Sequence, residues 1–152
     1  MGCDIHAVVQ VRVNGDWTTV PAADIPVEVR HYWLHDRTSW EPMWEVRSYV
    51  QFGILAGVRD RDVTPIVAPR GLPSDTTIDQ TEHGSFAIDG RWLGDHTYSW
   101  VTATELVGYP LSKIHPKWEE PLSELTSFDV WVPWLCTLGN SDDVRLVFGF
   151  DS

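Results

Sequence analysis

Two alternating runs, one at each end of the chain, constrain its fold more than any other feature. In Cys3–Val13, Cys3, Ile5, Ala7, Val9, Val11 and Val13 make one apolar face, and Asp4, His6, Val8, Gln10 and Arg12 make the other. Side chains of a strand point alternately to its two faces, so this run reads as a strand with one face on a core. Asn14-Gly15 follows, a dipeptide suited to a two-residue hairpin turn, and Trp17–Val20 is then the return strand. At the other end Val144, Leu146, Phe148 and Phe150 alternate with Arg145, Val147, Gly149 and Asp151, giving a second strong strand.

The segments between are less regular. Residues 21–43 carry prolines and a run of aromatics and histidines, and read as a long loop with one short element at most. Residues 44–59 read as a helix with Val46, Tyr49, Val50, Gly53, Ile54 and Gly57 on one stripe. Gly57 is placed to help end it, and Arg47 and Arg59 flank it. The prolines of 60–76 demand a loop, after which Ser74 or Asp75 is placed to cap a short helix through Glu82. Residues 84–98 are Gly-rich and polar, which reads as another loop. Thr102 with Glu105 is a capping box for a helix at 103–108. Another helix is expected at 119–127; Pro133 interrupts the apolar stretch 128–138, and Gly139-Asn140 is a turn. The expected class is α+β: one domain over 1–152, an antiparallel sheet that includes the N- and C-terminal strands, helices packed on one face, and long irregular loops.

Charge narrows the partners. A net charge of −11 argues against a general duplex nucleic-acid binder and against an anionic membrane surface. The basic residues are nine Arg and two Lys. High-GC codon usage explains such a skew, and so do a few guanidiniums serving an anionic site. Nine tryptophans are several times ordinary usage; most belong in a core or a pocket wall. Cys3 and Cys136 carry no signal for a disulfide, and the head has no apolar signal core. A soluble protein with free thiols in a reducing cytoplasm is the expectation.

Four groups of residues carry potential chemistry. Asp4 and His6, two apart at the head of a strand, share a face about 6 to 7 Å apart. They suit a divalent metal such as zinc, manganese or magnesium, or an acid–base pair, and equally a hydrogen bond that organises the N-terminus. Asp95-His96, followed by the hydroxyls of Tyr98 and Ser99, offers a second half for such a site, or a turn with an incidental histidine. Arg70 lies between Pro69 and Pro73 in a stiff loop, ready for an anion or for a partner such as Asp75. Arg47 and Arg59 on a helix are solvated in the ordinary case. No phosphate-binding Gly loop, CxxC pair, HExxH or Gly-x-Ser-x-Gly elbow is present.

The segments GCDIH, RSYVQFGILAGVR, PRGLPSD, DHTYSW and VRLVFGFD together resemble a family of small bacteriophage and prophage proteins whose members begin Met-Gly-Cys-Asp-Ile-His. The resemblance runs from residue 2 to 151, though the stretches between these segments do not match. Family members often carry a second histidine where Tyr98 stands, and its absence weakens a three-histidine metal site. The resemblance implies a role in the cytoplasm of a bacterial host and supplies no reaction. It favours a functional cluster of Asp4, His6, Asp95 and His96 as metal ligands, with Asp4, His6 and His96 catalytic. Arg59, Arg70, Asp75, Tyr98 and Ser99 would bind the ligand. The expected activity is binding or metal-assisted hydrolysis of a small phosphate-containing ligand, a nucleotide or nucleotide-derived signal of host defence. The alternatives are sequestration of that ligand without chemistry, or docking of the acidic surface onto a host protein.

Overall fold

The computed structural model describes residues 2–26, 29, 49–59, 63–109 and 126–151. Its centre is a four-stranded antiparallel sheet in the order β2-β1-β7-β6. The strands are β1 (Asp4–Val13), β2 (Asp16–Thr19), β6 (His96–Thr102) and β7 (Val144–Asp151). The alternating head and tail thus become neighbours at the middle, paired from Asp4↔Asp151 to Val11↔Val144. Asn14 and Gly15 both take the left-handed backbone, with φ 51 and 87, as a tight turn between twisted strands requires.

The face of the sheet bearing Ile5, Ala7, Val9, Val144, Leu146, Phe148 and Phe150 is buried under helices. These are α1 (Tyr49–Ala56), α2 (Ala103–Gly108) and α3 (Thr126–Cys136). From them Phe52, Ile54, Leu55, Leu106, Trp131 and Leu135 pack onto the strands. Each such side chain contributes roughly 1.5–3 kcal/mol by leaving water. α2 starts where its capping box predicts, with the Thr102 hydroxyl accepting from the Glu105 amide and the Glu105 carboxylate accepting from the Thr102 amide.

Several expectations are corrected. No helix follows Ser74; the chain stays irregular to β3 (Asp79–Gln80). Nor is 84–98 a loop: it contains β4 (Phe86–Ile88), β5 (Arg91–Trp92) and the start of β6. α1 stops at Ala56, short of residue 59. α3 runs through Pro133, whose missing N–H removes one backbone hydrogen bond from its last turn. The expectations for residues 27–43 other than 29, for 44–48 including Arg47, and for 119–125 lie outside the described residues.

Strands β3-β4-β5 form a second, three-stranded antiparallel sheet. It lies over the face expected to be open. Ile88 and Leu93 pack with Val8 and Val147 there, flanked by Leu72, Ile78, Tyr98 and Trp100. The main sheet is therefore covered on both sides. Where β6 meets β7 the register shifts between His96 and Ser99, so that Thr97 and Tyr98 stand opposite Gly149. A side chain at Gly149 would run into the Leu93 carbonyl and the Tyr98 ring; only glycine admits so close an approach. Among the described residues no helix is long and apolar enough to cross a membrane.

Candidate functional site

The chemically capable residues divide between the two ends of the main sheet. At one end β1 begins and β7 stops. Cys3 and Ile5 point to the helices, and Asp4 and His6 point to the small sheet, with Asp4 directly opposite Asp151. Two carboxylates so placed repel each other, and Asp151 is held by other contacts. Its Oδ1 accepts the Asp4 backbone N–H at 3.3 Å. Its Oδ2 lies 2.9 Å from His6 Nε2. A carboxylate oxygen in that position accepts, which makes Nε2 the donor.

His6 and Asp4 are well covered, 8% and 9% exposed, while the Asp151 side chain is partly open at 27%. The face therefore is not open, and the small sheet supplies much of the cover. The indole of Trp92 lies 4.6 Å from the His6 ring, centroid to centroid, tilted by 50°. Its Nε1–H donates to Ser85 Oγ at 2.9 Å, and that oxygen is 2.6 Å from Thr81 Oγ1.

On the helix side of the same strand end stands Arg59. Its backbone is left-handed, φ 66, an uncommon conformation for a residue with a Cβ and one that costs about 1–2 kcal/mol. Its guanidinium lies over the Tyr49 ring at 5.9 Å and is close enough to the Cys3 thiol to favour its thiolate. Among the described residues it makes no ion pair. Burial pushes the Cys3 thiol up, against the Arg59 guanidinium, and the carboxylates of Asp151 and Asp4 add to the rise. Cys3 is therefore a protonated, packed thiol within the field of all three charges. Both cysteines are free.

His96 does not join Asp4 and His6 on their face. It is paired with Phe150 in the sheet and its ring stacks on that side chain, centroids 6.2 Å apart. Residues opposite one another on antiparallel strands share a face, so His96 lies on the helix side. Its Nδ1 is 2.7 Å from the Thr97 hydroxyl. The Asp95 side chain is exposed, while its N–H donates to the Phe150 carbonyl at 2.7 Å. Asp4, His6, Asp95 and His96 thus share a strand end without converging. Among the described residues no group of three or more His, Cys, Asp or Glu is arranged to hold a metal ion. The four nominated ligands do not fit one, and no step below passes through a metal.

Tyr98 stands opposite Gly149, itself the partner of His6, and Ser99 pairs one step further along, while Arg70 and Asp75 sit at the opposite end. Gln10, six residues beyond Asp4 along β1, lies roughly 20 Å away, and Arg145 is its partner on β7. Arg145 is 1% exposed. Its Nε and Nη2 donate to Gln10 Oε1 at 3.0 and 2.8 Å, and its Nη1 donates to Asp75 at 2.8 Å. Asp75 also accepts from the Trp17 indole at 3.0 Å. Arg70 makes a two-pronged pair with Glu105 at 2.9 and 2.6 Å, and its backbone N–H donates to the Ser99 hydroxyl. Tyr98 donates its hydroxyl to the Gly94 carbonyl at 2.7 Å. Arg70, Asp75, Tyr98 and Ser99 thus hold loops to the sheet.

These contacts form a ladder that sequence reasoning missed. Arg12 lies 5.2 Å from the Trp17 centroid and Arg145 3.9 Å from it. Arg145 is also 5.6 Å from Trp100, which Arg70 covers at 4.2 Å. Guanidinium and indole alternate across the sheet, each cation neutralised by Asp143, Asp75 or Glu105. The Arg70 hydrogen bonds hold the Glu105 carboxyl below its ordinary range, against partial burial. Burial draws the Arg145 guanidinium down, opposed by Asp75, and it remains charged.

Asp151 is the other residue the sequence reading passed over. Its tail position, one step after the alternating apolar set, gave no sign of a partner 145 residues away. Compared with known proteins, the chain matches no family model, no curated protein and no solved structure.

Proposed function

We propose that this chain binds a small phosphate-containing ligand at the β1–β7 strand end, and that the His6–Asp151 dyad moves protons on it as in a phosphoesterase. The observation that carries this reading is the His6–Asp151 pair at the strand end; Arg59, without a carboxylate partner among the described residues, stands on the other face of the same strand end. In hydrolysis the neutral His6 imidazole takes a proton from water as its oxygen attacks phosphorus. The imidazolium, stabilised by Asp151, then gives that proton to the leaving oxygen as the P–O bond breaks. Arg59 offsets the charge that develops on the phosphoryl oxygens. The resemblance to phage and prophage proteins makes a host signalling nucleotide the ligand class to try first.

Burial of His6 favours a second reading. Asp151 joins the β1 head to the β7 tail through both Asp4 and His6, which is sufficient reason for the pair to exist. The chain would then be a non-catalytic binder of the ligand, or an acidic protein steered by its charge of −11 to a basic host partner. Calorimetric titration with mononucleotides, followed by an assay for released phosphate or nucleoside, separates the two. His6→Gln that binds as wild type but releases no product supports the hydrolase. Binding without turnover by the wild type supports the second reading, and no binding of any phosphate compound overturns both ligand readings.

A further inference from the structure

We infer that Asn14 is a site of spontaneous covalent modification, at which the turn between β1 and β2 is converted to isoaspartate. The chain has two asparagines, Asn14 and Asn140, and the structure sets them apart. Asn14 and Gly15 are the whole of a two-residue loop closed by the pair Val13↔Asp16. Both are exposed, and both are left-handed. In such a loop the closing pair makes the ladder bonds, so the Gly15 N–H is left out of them. The Asn14 side chain makes no hydrogen bond among the described residues. Gly15 has nothing within 4 Å of where a Cβ would stand, and puts no side chain of its own in the way. The Gly15 nitrogen is thus free to attack Asn14 Cγ. The new bond closes a five-membered imide, the Cγ–Nδ2 bond breaks, and the Gly15 amide proton leaves with Nδ2 as ammonia. Water then opens the ring at the side-chain carbonyl to give aspartate, or at the main-chain carbonyl to give isoaspartate. Asn140 is placed otherwise. The residue after it is Ser141, whose Cβ crowds the attacking nitrogen, and the Asn140 carbonyl accepts the Asp143 N–H at 2.8 Å, which holds the peptide group that would have to rotate. The consequence of the change at Asn14 falls on the Arg–Trp ladder. Isoaspartate adds one atom to the main chain, and loop length sets the register of a hairpin. Arg12 faces Trp17 across this hairpin, and the Trp17 ring meets both Arg12 and Arg145, so conversion of the turn loosens the first rung.

The test incubates the folded protein in mildly alkaline buffer and follows both asparagines by peptide mapping with mass spectrometry, scoring isoaspartate by enzymatic methylation of its carboxyl group. Circular dichroism records that the chain stays folded, and Tm is measured on each sample. The expected result is exchange of amide for acid at Asn14 while Asn140 is still intact, with isoaspartate among the products and a Tm that falls as isoaspartate accumulates. Asn14→Gly keeps a sequence suited to the same turn but has no side chain to react, and its Tm holds through the same incubation. Freshly purified Asn14→Asp, which carries the new charge without the extra main-chain atom, keeps the wild-type Tm and assigns the loss to register. An Asn14 that stays intact in the folded protein, or reacts no sooner than Asn140, overturns the inference. An unchanged Tm in fully converted protein overturns its consequence for the ladder.

Discussion

Arg145 shows how one residue can hold several parts of a fold. A buried guanidinium is costly unless its donors and charge are met, and Gln10, Asp75 and two indoles meet them. Arg145→Ala is expected to lower stability by about 3 kcal/mol, read as a fall in Tm of roughly 10 °C. Arg145→Lys restores little of it, since an ammonium lacks both the fork and the planar stack. The sequence shows Arg145 only as an outward residue of an alternating strand. Its burial depends on the small sheet and the 69–76 loop, whose contacts no local pattern reveals. Arg59 works in the opposite sense. Its left-handed backbone is strained for any residue but glycine, so Arg59→Gly is expected to leave stability unchanged or raise it by up to about 1 kcal/mol. It should at the same time weaken phosphate binding at least ~10-fold.

At the scale of elements, legibility followed apolar alternation. β1 and β7 were plain because every second residue is apolar and buried. β6 was not, because His96, Thr97, Ser99 and Thr102 put polar groups where a core strand usually has apolar ones, and the bulge at Thr97–Tyr98 breaks the period. The glycines of 84–98 read as loop signals, yet Gly94 belongs to a close crossing of backbones, where a side chain would run into the Phe150 backbone. The companion position, Gly149, tests that crossing: Gly149→Ala should cost about 3 kcal/mol by overpacking, measured by denaturant unfolding. The loop-to-α2 link is pH-sensitive. Because the folded pKa of Glu105 is depressed, its contribution is present above the unfolded value of about 4.3 and is lost as pH falls through the lower folded value. Wild type should therefore lose stability between about pH 5 and 3 more steeply than Glu105→Gln, as followed by circular dichroism.

On the scale of the whole molecule, one sheet joins two unlike ends. The Arg–Trp ladder closes one end with neutralised charges, and the Cys3–Arg59–His6–Asp151 group occupies the other. The α+β class and the sheet containing both terminal strands were legible from the chain alone. The composite site was only half so: Asp4, His6 and Arg59 do lie at one end, but Arg70 and Asp75 belong to the other, because spatial neighbours across a sheet carry no spacing signal along the sequence. The measurement that bears most directly on the central claim is the affinity of wild type and Arg59→Gly for adenosine monophosphate by calorimetry at low salt, with Tm recorded for both. The account predicts saturable binding to wild type, at least ~10-fold weaker binding to the variant, and no loss of Tm. Equal affinity in the two proteins, or no binding to wild type, would contradict it.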